Sequence, residues 1–190
     1  MGIVGKLKEK TQSSGRFLAI DSSSKSLAFS IFDKNDKTML ISAGKIDFPA
    51  DMAQRLKTIN IAIESIFDRY GPIDHVVIEQ TIYIQSPQTS RILSYVVGHI
   101  WGKCLEKSPD VRDVEVMKWK SYIGYKNVSK AEKLAWEKEF GITEAKKIAA
   151  KERKERTGKI IKQKIKGIDD ISDYDIIDAV AIGIWAVNNV

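Results

Sequence analysis

Phe17-Leu18-Ala19-Ile20-Asp21-Ser22-Ser23-Ser24-Lys25-Ser26-Leu27-Ala28-Phe29-Ser30-Ile31-Phe32-Asp33 decides how the rest of the chain is arranged. Phe17 to Ile20 is a continuous apolar run, which suits a strand covered on both faces. It stops abruptly at an acid and three serines. Leu27 to Phe32 resumes after a short polar turn, so the two runs predict a hairpin with Asp21 where the first strand leaves the sheet. Strand ends at the mouth of a sheet are where ligands and chemistry collect. A turn residue bonding nearby amides would explain Asp21 equally well on its own. The remaining carboxylates decide between the two.

Lys37 to Phe48 predicts a third strand and completes an antiparallel meander. Pro49, Ala50 and Asp51 open a helix in which Met52, Leu56, Ile59, Ile63, Ile66 and Phe67 recur at helical spacing, and Gly71-Pro72 ends it. His75-Val76-Val77-Ile78-Glu79-Gln80 then repeats the opening pattern, a short buried strand running into an acid. Reached through a helical crossover, its spacing from Asp21 allows this strand to lie beside the first and parallel to it, with Asp21 and Glu79 at the same sheet edge. A charge at the end of Val-Val-Ile is costly unless paired or metal-bound. His75, at the strand's start, reads as a surface histidine.

Ser86-Pro87 predicts the start of a helix reaching about Lys107. Its small residues Ser94, Gly98 and Gly102, spaced by four, imply close packing within the chain or across a two-fold axis. Asp110 to Met117 alternates and predicts a fifth strand. Lys118, Lys120, Lys126 and Lys130 interleave with Trp119, Tyr122 and Tyr125, a mixture suited to phosphate contact. Trp119 reads equally as a core anchor. Ser129 predicts a helix cap and Gly141 that helix's end. Thr143 opens a basic helix from Glu144 to about Thr157, too poor in apolar residues for a core helix, and Lys159 to Lys166 reads as a flexible connection. From Val111 to Lys166 seventeen Lys and Arg face eight Asp and Glu. A basic segment on a slightly acidic body is the footprint expected for a polyanion.

Near the C-terminus Ser172 predicts a cap, with Asp173 and Asp175 in the first turn, where acids complement the helix dipole. Asp178 sits one turn deeper in a helix apolar nearly all round from Ile176 to Val187. Asp175 and Asp178 share a face, and two carboxylates aimed at a sheet repel unless a cation lies between them. Asp21, Glu79, Asp175 and Asp178 are therefore the candidate catalytic and metal-ligating residues. An all-oxygen set selects Mg²⁺ or Mn²⁺ over zinc, and two such ions about 4 Å apart can split a phosphodiester.

The 190 residues fit one α/β domain over 16–190 behind a loose basic leader over 1–15, with a basic helical insertion around 143–168. Its sheet is mixed and five-stranded, a three-strand antiparallel meander plus parallel strands, flanked by helices. The single cysteine, Cys104, rules out an internal disulfide and fits a cytoplasmic or other reducing compartment. No apolar run reaches the ~20 residues of a membrane span, so no membrane is expected as a partner. No secretory signal follows Met1, and Lys6 stands where myristoylation of Gly2 wants Ser or Thr.

With these residues in view, the chain resembles the RuvC family of Holliday-junction resolving endonucleases, of the ribonuclease H-like superfamily. The resemblance runs from Phe17 onward and rests on the Ala19-Ile20-Asp21 ending with its meander, on Val76-Val77-Ile78-Glu79-Gln80, and on Asp175-Ile176-Ile177-Asp178-Ala179. Gly124, followed six residues later by Lys130 and preceded by Lys120, is a weaker match. The resemblance implies a Mg²⁺-dependent homodimer that nicks two like strands of a four-way junction in DNA recombination and repair. Three departures stand out. Ser22-Ser23-Ser24 replaces a glycine common after the first acid. Ile82 and Tyr83 are the candidates for the side chain that wedges into the junction. The basic stretch from Glu144 to Lys166 is longer than in bacterial cellular members, as in viral and phage members that act on branched DNA more broadly.

Two other classes compete. An actin-like or sugar-kinase ATPase domain also opens with a strand, an Asp and small hydroxyl residues, but closes on nucleotide between two such domains and uses a glycine-rich adenosine loop. A DNA-binding module that has lost its chemistry would not need four acids.

Overall fold

Why the first strands form, and where they end, follows from what covers them. In a computed structural model that describes residues 15–36, 39–81, 86–165 and 168–190, β1 (Arg16–Ser22) and β2 (Ser26–Asp33) pair antiparallel through the tight turn at Ser23. The Ser23 hydroxyl accepts the backbone N–H of Lys25 at 3.1 Å and of Ser26 at 3.0 Å. These bonds satisfy the turn, which is why a serine follows Asp21 so closely. β3 (Leu40–Asp47) extends the meander as a half-buried edge strand. Of its expected start, Lys37 and Thr38 lie outside the described residues.

Asp51 caps α1 (Met52–Tyr70), its carboxylate accepting the Gln54 N–H at 2.9 Å, and the helix carries the chain back to β4 (Ile73–Glu79). β4 lies parallel to β1, with Ile20 opposite Ile78. α2 (Pro87–Leu105), capped by Ser86, leads to β5 (Asp110–Val114), parallel to β4. The sheet order is β3-β2-β1-β4-β5. This is the expected five-stranded mixed sheet flanked by helices, a ribonuclease H-like fold.

Alternation along each strand sorts the core into two halves. Leu18, Ile20, Leu27, Ile31, Val76 and Ile78 meet α1 and α2 on one face. Phe17, Ala19, Phe32, Val77 and Val114 meet the C-terminal helices on the other. That second face is covered by α3 (Val116–Ile123) and α5 (Tyr174–Asn189), with the long α4 (Lys130–Lys164) behind. Gly183 decides how closely α5 lies on β2: a Cβ there would stand 2.4 Å from the Phe32 ring and 2.6 Å from Ser30 Oγ. The buried Ser30 hydroxyl donates to the Ala179 carbonyl at 2.8 Å, tying sheet to helix.

Several expectations need correction. The fifth strand stops at Val114. Trp119 and Ile123, four apart, bury together only on a helix, so α3 begins at Val116 where alternation reads as strand. The predicted break at Gly141 is present, its φ of 78° lying where an L side chain rarely goes. Beyond it, however, the basic helix continues to Lys164 instead of loosening after Thr157. It also reaches the core, because Ile161, Ile165 and Ile168 lie just past the stretch read as helical and pack with α5. Arg156 folds the two halves of α4 together: its guanidinium meets Glu132 of the first half, bonds Glu152 at 2.9 Å, and donates to the carbonyls of Lys126 and Asn127, each at 3.2 Å. Asp173, not Ser172, caps α5, accepting the N–H groups of Asp175 at 2.9 Å and Ile176 at 3.4 Å. Among the described residues nothing packs closely on the small stripe of α2, since a Cβ at Gly98 or Gly102 would meet nothing within 4 Å.

Candidate active site

Register places the acids. Asp21 is opposite Ala28, and Ala28 is opposite Lys45, so a row runs across the sheet from β3 to β1 on the face that α5 covers. One residue past the Ile20–Ile78 pair, Glu79 continues the row, and Val114 ends it on β5. Asp21 and Glu79 thus stand at the C-terminal ends of adjacent parallel strands, the edge where α/β sheets place their chemistry. From above, α5 brings Asp178 into the field of both. All three keep an edge open to solvent while protein surrounds the rest.

Burial chiefly raises the proton affinity of Asp21, with the neighbouring charges of Glu79 and Asp178 adding to it, well above the usual carboxylate range. Asp21 and Glu79 end neighbouring parallel strands, and Asp21 lies in the field of Glu79. The indole N–H of Trp119 donates to Glu79 Oε1 at 2.8 Å and favours the glutamate's anion. Burial lifts Glu79 as well, against that indole bond and the nearby charge of Lys120. Asp178 is pushed up to about 7, first by burial and then by Glu79 and Asp175, against the pull of Lys120 and Lys154. Three neighbouring carboxyls whose proton affinities are all raised form a site short of positive charge.

Asp175 stands differently. The Lys45 ammonium reaches it at 2.6 Å and Asp173 at 3.1 Å, and this pairing, Asp175 first, raises the lysine above its ordinary value. A cation is therefore present beside Asp175, and it is an ammonium from β3. Among the described residues no three acidic, histidine or cysteine side chains already lie close enough to coordinate one ion. One observation bears on that arrangement: a lysine holds Asp175. The donor set itself suits a hard divalent cation, being carboxylate oxygen throughout and electrostatically unfavourable as it stands. The buried Tyr125 hydroxyl, within the field of Asp178, has no partner among the described residues.

The candidate phosphate-binding lysines separate. Lys120 lies at the acids, its ammonium 4.9 Å from the Trp119 ring centroid and 5.5 Å from that of Tyr125. Lys118 instead pairs with Glu115 at 3.0 Å and lines a different surface hollow with Tyr122 and Trp185. Lys126 and Lys130 are exposed on the loop and first turn leading into α4. Ile82 and Tyr83 lie outside the described residues. His75, expected at the surface, is instead largely covered, bonded to Asp110 at 2.7 Å and stacked on Phe17 at 4.6 Å.

Two contributors were missed in the sequence. Trp119 is both core anchor and hydrogen-bond donor to Glu79, a role that needed the position of α3. Lys45 was legible in principle: it alternates with Ala43 onto the covered face, where a lysine wants a carboxylate partner.

No family model matches the chain, and no curated protein matches it. Among solved structures, T. thermophilus RuvC in complex with a Holliday junction substrate superposes with a TM-score of 0.65 at 12% identity, over 89% of this chain and 90% of that one. A second T. thermophilus RuvC structure gives 0.61 at 14% identity, over 89% and 91%. The yeast mitochondrial Holliday junction resolvase Ydc2 gives 0.56 at 10%, over 92% of this chain and 78% of that one. At such identities the likeness establishes a shared fold, carried through nearly the whole length of the bacterial proteins.

Proposed function

We propose that this chain is a divalent-metal-dependent endonuclease that resolves four-way DNA junctions by paired nicks, working as a homodimer. The observation that carries the reading is the meeting of Asp21, Glu79 and Asp178, from two strands and a helix, at one edge with their proton affinities lifted together. Structural carboxylates are normally paired with cations and held below their ordinary values, whereas clustered acids of this kind mark functional sites. The fold shared with two junction resolvases, one in complex with its junction, supports branched DNA as the substrate.

Asp21, Glu79 and Asp178 would hold Mg²⁺ or Mn²⁺, two ions per site, with Asp175 joining as Lys45 swings aside. When bound, the ions supply a nucleophilic hydroxide near neutral pH and neutralise charge on the leaving oxygen. The chain's own groups do the rest. Trp119 holds Glu79 in its anionic, correctly turned form. Asp21 and Asp178, whose proton affinities burial raises, would hold the ion as carboxylates, so both would be drawn toward the anion by a bound cation. Lys120, pinned over two aromatic rings, offers its ammonium to a DNA phosphate.

The test is cleavage of a synthetic four-way junction with Mg²⁺ beside the same DNA as a linear duplex, by wild type and by Asp21→Asn and Glu79→Gln. Wild type should nick the junction in pairs. Each variant should lose cleavage while its junction affinity persists. ATP turnover without cleavage would instead favour a kinase-like domain, and intact binding without any cleavage by wild type a module without chemistry.

A further inference from the structure

The second half of α4 carries lysines that the site described so far does not use, although it is docked onto that site. Ala149, Thr157, Gly158 and Ile161 are buried along it, Gly158 lies against Ile177 of α5, and Arg156 fixes it to the loop before α4. Its charged face is therefore held at a defined place.

That place is beside Asp178. The Lys154 ammonium sits 5.5 Å from the ring centroid of Tyr174, the first residue of α5 and one helical turn before Asp178. Its charge is felt at Asp178, as is that of Lys120. Among the described residues neither lysine is drawn into an ion pair with a carboxylate. Each is seated over aromatic rings instead, which leaves its ammonium free for another anion. From Tyr174 a cleft of about 260 Å³ continues between α4 and the loop before α5, lined by Lys159, Lys162 and Ser172. Glu155, the acid on its rim, is partnered by Lys151 at 3.6 Å, and Lys162 donates to the Asp169 carbonyl at 2.6 Å.

We propose that Lys154 is a DNA-phosphate-binding residue standing with Lys120 beside Asp178, and that the bound strand's backbone runs on from it past Lys159 and Lys162. The inference rests on the nuclease reading and adds to it a second wall for the strand, built from the basic helix. A phosphate at the acids would then meet two ammonium groups from different elements. Such a pair can hold the scissile bond in position where a single lysine leaves it free to swing.

Fluorescence anisotropy of a labelled four-way junction, in EDTA and over a KCl series, tests this without requiring turnover. Wild type should bind with affinity falling steeply with salt. Lys154→Met should weaken binding several-fold and lower the log–log salt slope by about one phosphate contact. Lys159→Met with Lys162→Met should lower it by about one to two more. Lys57→Met, exposed on α1 on the other face of the sheet, should match wild type. Unchanged slopes for the α4 variants beside normal wild-type binding would overturn this inference and leave the nuclease reading standing. Wild type that ignores the junction altogether would overturn the reading beneath it.

Discussion

At the scale of single residues, positive charge is in short supply where Asp21, Glu79 and Asp178 meet. Asp178 titrates near 7 in the folded chain against an ordinary 3.8. The folded state therefore binds more protons than the unfolded one between these values, so stability falls as pH rises through that window. Metal-free protein should melt at a lower temperature at pH 8 than at pH 5. Mn²⁺ should reverse the trend, and a flat profile across this range would remove Asp178 from the strained set. Trp119→Phe keeps the ring but loses the 2.8 Å donor to Glu79. It should weaken Mn²⁺ binding about 10- to 100-fold by titration calorimetry, as expected when a ligand's orienting partner is lost. Lys45→Met strips Asp173 and Asp175 of their shared cation. Because the pair is only partly buried, the metal-free protein should lose about 1 kcal/mol, roughly 2–4 °C in Tm, and saturating Mn²⁺ should restore most of it.

At the scale of elements, α4 and α5 set the geometry. Glu132, bonded first by the Ser129 hydroxyl and backbone N–H and then by Arg156, is held down at about 2 against an ordinary 4.5. Its folded value is depressed, so its contribution is present above about 4.5 and fades as pH falls toward 2. Arg156→Ala should loosen the α4 hairpin, seen as faster amide exchange over 142–164 with α1 unaffected. Gly183→Ala should cost about 1–3 kcal/mol, since the new methyl must push Phe32 and Ser30 away. The sequence conveyed these elements unevenly. Asp21 and Glu79 could be placed because continuous apolar runs ending in acids carry strand, direction and edge together. Helix α3 was hidden because Val114 and Val116 alternate like a strand, and only the burial of Trp119 with Ile123 shows the turn. The packing of α4 was hidden because its core contacts come from alanines and a glycine, residues without an amphipathic signal, and from isoleucines beyond its basic stretch.

At the scale of the whole molecule, the sheet order brings residues 21, 79 and 178 to one edge. Asp21 and Glu79 end adjacent parallel strands, and the docking of α5 across β1 and β2 delivers Asp178 onto them. The same arrangement sets a lysine of α3, Lys120, and one of the basic half of α4, Lys154, both within the field of Asp178. Fold and charge therefore lead to one measurement. A labelled four-way junction and its linear counterpart are incubated with wild type and with Asp178→Asn, with Mg²⁺ or with EDTA. The account predicts paired nicks in the junction by wild type with Mg²⁺ alone, little on the duplex, and a rate on the order of 10³-fold lower or less for the variant. Nicking that survives EDTA, or that Asp178→Asn carries out at the wild-type rate, would contradict it.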